Sequence, residues 1–347
     1  MSTSDAATTD TTGTRWSGIT TGIGSWPGTD AREAAAIIVG ELPDMPHLVE
    51  LPGRGIGADM IGRASGLLVD LCLDASTTGY RLTTGRGTVA ARSTDLLDQD
   101  LDALEEAWEL AGRGPGGTLK VQAPGPFTLA AHVELSTGRR VLTDHGAVRD
   151  ITESLAEGLA RHAAEVTRRT GAATVVQLDE PSLPDILAGS LRGRTVLETV
   201  AAIPQPEAQH LLDNAIRAIG RPVCVHCCAD TIPTGLLRGT AADAVAFDLS
   251  RVRTGDLDGI GELLDSGAAL ALGVVPTTAP AVTPTWRDLA APAVAMIDRL
   301  GFPRSTLRSV AVTPACGLAA ADPHWARTAL SLARDITAAF AEDPDTL

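Results

Sequence analysis

The sequence predicts an α/β protein, a single-domain (β/α)8 TIM barrel, on three observations. Eight short apolar segments recur along the chain, each ending in small or polar residues. Helical patterns lie between most of them, and strand–helix alternation repeated this often is the mark of a barrel. With 347 residues, 44% of them hydrophobic, the chain has ample material for one large core. At about 100–200 residues per domain, length alone would allow two domains, and an open doubly wound sheet is the alternative architecture. The strand count favours the barrel.

The elements follow in order. Residues 1–15 are Ser, Thr, Asp and Ala with little hydrophobicity and are expected as a disordered N-terminal tail, ahead of a barrel at 16–347. The first strand is 19–25, ending at Gly24 and Ser25, and a helix at 31–42 follows. The second strand is 47–51, with Glu50 near its end. Residues 52–118 form an elaborated insertion with two helix-like stretches, about 58–73 and 92–112. Tyr80-Arg81-Leu82-Thr83 between them reads as a short hairpin strand. The third strand, 119–123, runs into Pro124-Gly125-Pro126. A long amphipathic helix at 149–170 precedes the fourth strand, 173–179 and its Glu180-Pro181 end. Helix 205–219 leads to the fifth strand, 223–228, and the sixth is 244–248. Helix 257–265 leads to the seventh, 270–275, helix 286–300 to the eighth, 310–314, and a helix at 326–339 closes the chain.

Composition excludes several function classes. A formal charge of −15 argues against nucleic-acid or anionic-membrane partners. Lys120 is the only lysine, so there is no phosphate-binding Gly-Lys-Ser/Thr loop and no Schiff-base lysine elsewhere. Five cysteines in a chain this long are no disulfide framework. No basic segment precedes an apolar one at the N-terminus, and no apolar run approaches the ~20 residues of a membrane span. The expectation is a cytoplasmic protein with reduced cysteines free to bind metal.

In barrels the working residues sit at the carboxyl ends of the strands. Here those ends carry Ser25, Glu50, Gln122, Asp179 with Glu180, His226 with Cys228, Asp248, Val275 and Cys316. Side chains alternate along a strand, so Cys224, His226 and Cys228 share a face and Cys227 takes the other. Cys224 then lies deeper and reads as core, Cys227 points toward the helices, and Cys72 in its apolar run also reads as core. His226, Cys228, Asp248 and Cys316 meet at one rim, which fits a zinc site or, equally, buried cysteines that only pack. The adjacent acids Asp179 and Glu180 read either as a holder of a substrate amine or, equally, as a cap on the helix that follows. Gly53-Arg54-Gly55-Ile56-Gly57-Ala58 satisfies a dinucleotide pattern, but no compact βαβ unit follows it. The glycines read as a rim loop offering Arg54 to an anionic group.

At these residues the sequence resembles the cobalamin-independent methionine synthase family, in its catalytic C-terminal barrel and compact core-type branch. The resembling segments are Ile23-Gly24-Ser25-Trp26-Pro27, Gly125-Pro126-Phe127-Thr128, Gln177-Leu178-Asp179-Glu180-Pro181, Val225-His226-Cys227-Cys228 and Thr313-Pro314-Ala315-Cys316-Gly317-Leu318, in family order across 19–318. The resemblance implies a catalytic zinc ion held by His226, Cys228 and Cys316, with Asp248 where the family has a glutamate. It implies that Ser25 and the backbone around Gly24 hold the carboxylate of an amino-acid substrate, and that Asp179 holds its amino group. The family's second amine-binding glutamate falls near Arg54, and Glu50 is the acid expected to take that role. The family's acid histidine on the seventh strand has no counterpart in Gly273-Val274-Val275-Pro276-Thr277-Thr278. His324 is the candidate replacement, against the plainer reading of a surface histidine.

The expected function is therefore zinc-dependent transfer of a methyl group to a thiol, homocysteine giving methionine, from a folate or corrinoid donor. The expected partners are the small-molecule thiol and the methyl donor, with a corrinoid protein and a second copy of the chain as further options. The alternatives are a uroporphyrinogen-decarboxylase-like enzyme and a non-catalytic zinc- or thiol-binding relative.

Overall fold

The computed structural model describes residues 13–192 and 200–347. Of the expected tail, residues 1–12 lie outside the described residues, while Gly13–Trp16 form a turn of 3-10 helix and Trp16 is buried. The elements are α1 (Ala31–Glu41), α2 (Met60–Ala64), β1 (Cys72–Ser76), β2 (Gly79–Thr83), α3 (Thr88–Leu110), β3 (Thr118–Pro124), α4 (Pro126–His132) and β4 (Val133–Glu134). They continue with α5 (His145–Thr170), β5 (Ala173–Asp179), α6 (Leu183–Ala188), α7 (Gln205–Ile219), β6 (Val223–Cys227) and α8 (Thr234–Leu237). The last are β7 (Ala244–Asp248), α9 (Leu257–Asp265), β8 (Ala269–Val275), α10 (Trp286–Leu300), β9 (Ala311–Pro314) and α11 (Pro323–Glu342).

Local chemistry explains the firmest helices. Asp144 accepts the Ala147 amide at the start of α5, and Gly171 ends it at φ 69° in the left-handed region. Thr285 and Asp288 form a reciprocal capping box at the start of α10.

A parallel sheet of six strands, in the order β3-β5-β6-β7-β8-β9, carries the architecture. Six of the eight expected strands make up this ladder. Residues 19–25 and 47–51 join by isolated bridges instead: Thr20 to Val312 of β9, Ser25 to Glu50, and His47 to Lys120 of β3. Backbone hydrogen bonds accompany these bridges: Thr21 N to Val312 O, Glu50 N to Gly24 O, and Lys120 N to Pro46 O. Gly24 sits at φ 150°, and a Cβ there would come within 2.8 Å of the Gln122 side chain.

Period-two alternation separates two apolar regions. Val176, Leu178, Val223, Val225, Val245 and Phe247 pack with the helices. Val175, Cys224, Ala244, Ala246, Ala271 and Ala311 pack on the opposite face with Trp16 and Met45. Cys224 is thus core and Cys227 is buried on the other face, as expected. Cys72 departs from expectation: it is half-buried on β1.

In the insertion, the stretch expected as helix over 58–73 is helical only across α2. Beyond it the chain docks on α5. The Val69 amide donates to Ser154 Oγ at 3.0 Å and that hydroxyl donates to Val69 O at 2.6 Å. Gly158 lets the Leu67 carbonyl approach where any Cβ would collide with it. β1 and β2 form the expected hairpin, and β2 also pairs with β4. Among the described residues no helix is long and apolar enough to cross a membrane.

Candidate functional site

Strand register builds the site. The β5–β6 ladder sets Asp179 beside His226. His226 Nδ1 donates to Asp179 Oδ1 at 2.7 Å, and both side chains are buried. Asp179 can only accept, so the proton lies on Nδ1 and Nε2 presents a lone pair. That Nε2 is buried and has no hydrogen-bond partner. Past the strand end the chain bends and brings Cys228 to the same place, and the loop after β9 brings Cys316. Ligand atoms of His226, Cys228 and Cys316 all lie within 4.8 Å of one another. An orphaned imidazole nitrogen beside two thiols is a donor set for a soft divalent ion, and zinc fits it better than magnesium or calcium. Three protein ligands with a position left open is the arrangement of catalytic zinc sites.

The electrostatics agree with a site built for thiolate. The two sulfurs are 3.2 Å apart. Their hydrogen bond holds Cys316 down to about 6, helped by His226, and pushes Cys228 up, so the pair gives its first proton readily and its second late. Burial pulls His226 down, but the bond to Asp179 overrides it and the net direction is up.

Two cavities meet at the sulfurs. One, of about 250 Å³, is lined by Ser25, Glu50, Met60, Asp179, His226 and Gly317 together with both cysteines. Its size lies at the small end of ligand cavities, which run ~300–1,000 Å³. Gly317 packs so tightly on Ser25 that a Cβ there would strike the hydroxyl, and the Leu318 amide donates to Ser25 O at 2.9 Å. Burial pushes Glu50 up to about 7, against the pull of Arg63. The other cavity, of about 350 Å³, is lined by Asp248, Ser250, Arg251, Thr277 and Thr278 with the same cysteines.

The adjacent acids divide their roles. Glu180 turns away from the cavity and accepts the Phe127 and Thr128 amides and the Thr128 hydroxyl, capping α4 at 2.7–2.9 Å. Asp179 faces the cavity. The helix that is capped is α4, which precedes the pair in sequence, and not the helix that follows.

Three expected residues are placed elsewhere. Asp248 lines the larger cavity but stands outside the His–Cys–Cys group. Its Oδ1 takes the Ser250 amide and hydroxyl, and its Oδ2 pairs with Arg251 Nε at 3.1 Å. His324 is exposed. The first turn of α11 buries Trp325, whose Nε1 donates to Pro276 O at 3.0 Å, and this rotates the preceding residue outward. Arg54 lines neither cavity. Its Nη2 pairs with Asp100 at 2.8 Å, beside Arg63 on the same carboxylate, and Arg92 ties down its carbonyl.

Sequence reasoning gave no role to Lys120 and Gln177. Lys120 is wholly buried on the inner face of β3 and donates to Ile23 O at 2.9 Å and Gln177 Oε1 at 2.6 Å. Gln177 Nε2 donates to Ile23 O and to Asp179 Oδ1, each at 2.8 Å. The available signal was polar residues at period two on an inward strand face.

The family model described as the catalytic domain of cobalamin-independent synthases matches residues 18–339. Among solved structures, a B12-independent methionine synthase from Shewanella sp. W3-18-1, determined with selenomethionine, is similar with a TM-score of 0.61 at 12% identity. The match covers 93% of this chain and 98% of that one. A D-psicose 3-epimerase from Clostridium cellulolyticum H10 has a TM-score of 0.41 at 10% identity, over 93% of this chain and 96% of that one. No curated protein gave a sequence match.

Proposed function

The chain belongs to the family of cobalamin-independent synthase catalytic domains, and from that premise we propose that it transfers a methyl group to the thiol of homocysteine to give methionine. The observation that carries this reading is the unpartnered Nε2 of His226 facing Cys228 and Cys316 at the junction of two cavities. We read the three bridges between β9, residues 19–25, residues 47–51 and β3 as the closure of an eight-position barrel around that junction. The barrel, residues 16–347, then acts as one domain, in the cytoplasm.

His226, Cys228 and Cys316 would hold zinc. When bound there, zinc supplies a Lewis acid that keeps a substrate thiol deprotonated at neutral pH, where a free thiol with a pKa near ~8.5 is mostly protonated. The smaller cavity takes the amino acid. Asp179 and Glu50 attract its ammonium group, while Ser25 and the backbone at Gly24 receive its carboxylate. Burial strengthens both contacts by excluding water.

The larger cavity takes the methyl donor, with 5-methyltetrahydrofolate as the donor we propose. A tertiary amine must gain a proton before it leaves. Asp248 lines that cavity, and its carboxylate, held by Ser250 and Arg251, would stabilise the protonated donor amine rather than ligate the metal. The corrinoid partner and the second copy expected from the sequence find no support in the family match or the structure.

The test is a methyl-transfer assay with homocysteine against methyltetrahydrofolate and methylcobalamin, with zinc measured on the same sample. Methionine formed from the folate donor by zinc-loaded protein is the expected result. Tight homocysteine binding without turnover from either donor would instead identify a non-catalytic thiol-binding relative. A decarboxylase would show no dependence on the two cysteines.

A further inference from the structure

The only lysine of the chain, Lys120, is wholly buried on the inner face of β3. A buried ammonium group is costly unless it is paired and hydrogen-bonded. Its partners define a chain of donors and acceptors that converges on Asp179. An ammonium group can only donate, so Lys120 Nζ fixes Oε1 of Gln177 as the end that faces it. The amide of Gln177 is thereby oriented, and its Nε2 must point at Asp179 Oδ1. Asp179 Oδ1 accepts there and also from His226 Nδ1. The last link keeps the proton on Nδ1 and the lone pair on Nε2.

We propose that Lys120 is a positioning residue that, through Gln177, fixes the orientation of Asp179 and with it the aim of His226. The same ammonium group and the same amide both donate to Ile23 O. They therefore also pin the backbone that leads to Gly24 and Ser25, so one residue ties the metal side of the site to the carboxylate side. This inference rests on the reading of His226, Cys228 and Cys316 as metal ligands.

Two variants separate positioning from simple packing. Lys120→Met removes the charge and keeps the length of the side chain. Gln177→Glu keeps an acceptor for Lys120, and strengthens that contact, but sets a carboxylate against Asp179 where a donor stood. The measurement is zinc affinity by chelator competition at neutral pH, with thermal unfolding followed in parallel. Outer partners of a metal-ligating histidine typically change metal affinity by about 10–100-fold. We expect both variants to bind zinc at least about tenfold more weakly than the unaltered protein. Affinity within twofold of the unaltered protein for Gln177→Glu overturns the proposal, whatever Lys120→Met does to stability. If Lys120→Met fails to fold, Gln177→Glu decides alone. Failure of the unaltered protein to hold zinc overturns the metal reading itself, and is told apart by that control.

Discussion

Asp179 performs two separable tasks, and two substitutions pull them apart. Its Oδ1 accepts from both His226 and Gln177, and its side chain also lines the smaller cavity. Asp179→Asn can keep both bonds through its one carbonyl oxygen, but it loses the charge and turns an amide N–H₂ toward the cavity. A hydrogen bond to a charged group is worth about 1.5–3 kcal/mol. At 1.36 kcal/mol per factor of ten, losing one between Asp179 and the substrate ammonium raises KM for the amino acid by roughly 10–150-fold. Zinc affinity changes little, because the acceptor for His226 Nδ1 survives. Asp179→Ala removes that acceptor as well, and zinc affinity then falls by about 10–100-fold. The assay pairs methyl-transfer kinetics with chelator competition on the same preparations. An unchanged KM in Asp179→Asn, or unchanged zinc affinity in Asp179→Ala, refutes the assignment of both tasks to this carboxylate.

Other consequences follow from the same geometry. Burial raises Glu50 to about 7, so below that pH it takes a proton and stops attracting an ammonium group. The value of kcat/KM should fall as pH drops through about 7, and Glu50→Gln should flatten that limb. For stability the sign is opposite. The folded state holds the Glu50 proton longer than the unfolded one, so stability falls as pH rises from about 4.5 to about 7, and Glu50→Gln makes that slope shallower in urea titrations. Asp100→Ala strands Arg54 and Arg63 in a buried site and should cost about 3–5 kcal/mol in denaturant unfolding. Gly158→Ala drives a methyl group into the Leu67 carbonyl and should cost about 1–3 kcal/mol, read as a lowered Tm, without moving KM.

Elements with strong periodicity and clear ends were legible in the sequence. The helices at 205–219, 257–265 and 286–300 match α7, α9 and α10 residue for residue. The shared face of Cys224, His226 and Cys228 followed from alternation alone, whereas the pairing of Asp179 with His226 needs the register between β5 and β6. The first two strands are the least regular: residues 19–25 and 47–51 pair with their neighbours only at isolated positions, through backbone bonds that include Gly24 O and Pro46 O. Asp248 misled for a local reason. Its position at a strand end is right, but Ser250 and Arg251, two and three residues on, compete for its oxygens at close range. His324 misled because the burial of one neighbour, Trp325, decides which way the first turn of α11 faces. The Lys120–Gln177 chain needs the register between β3 and β5, which single-strand patterns do not contain.

The central claim is that His226, Cys228 and Cys316 form a metal centre that activates a thiol. Its most direct test is zinc content per chain, measured in the purified protein and in Cys316→Ala, alongside methyl transfer to homocysteine. The account predicts about one zinc per chain in the unaltered protein, with both metal and activity lost together in the variant. Methyl transfer that persists in a zinc-free Cys316→Ala protein would contradict it.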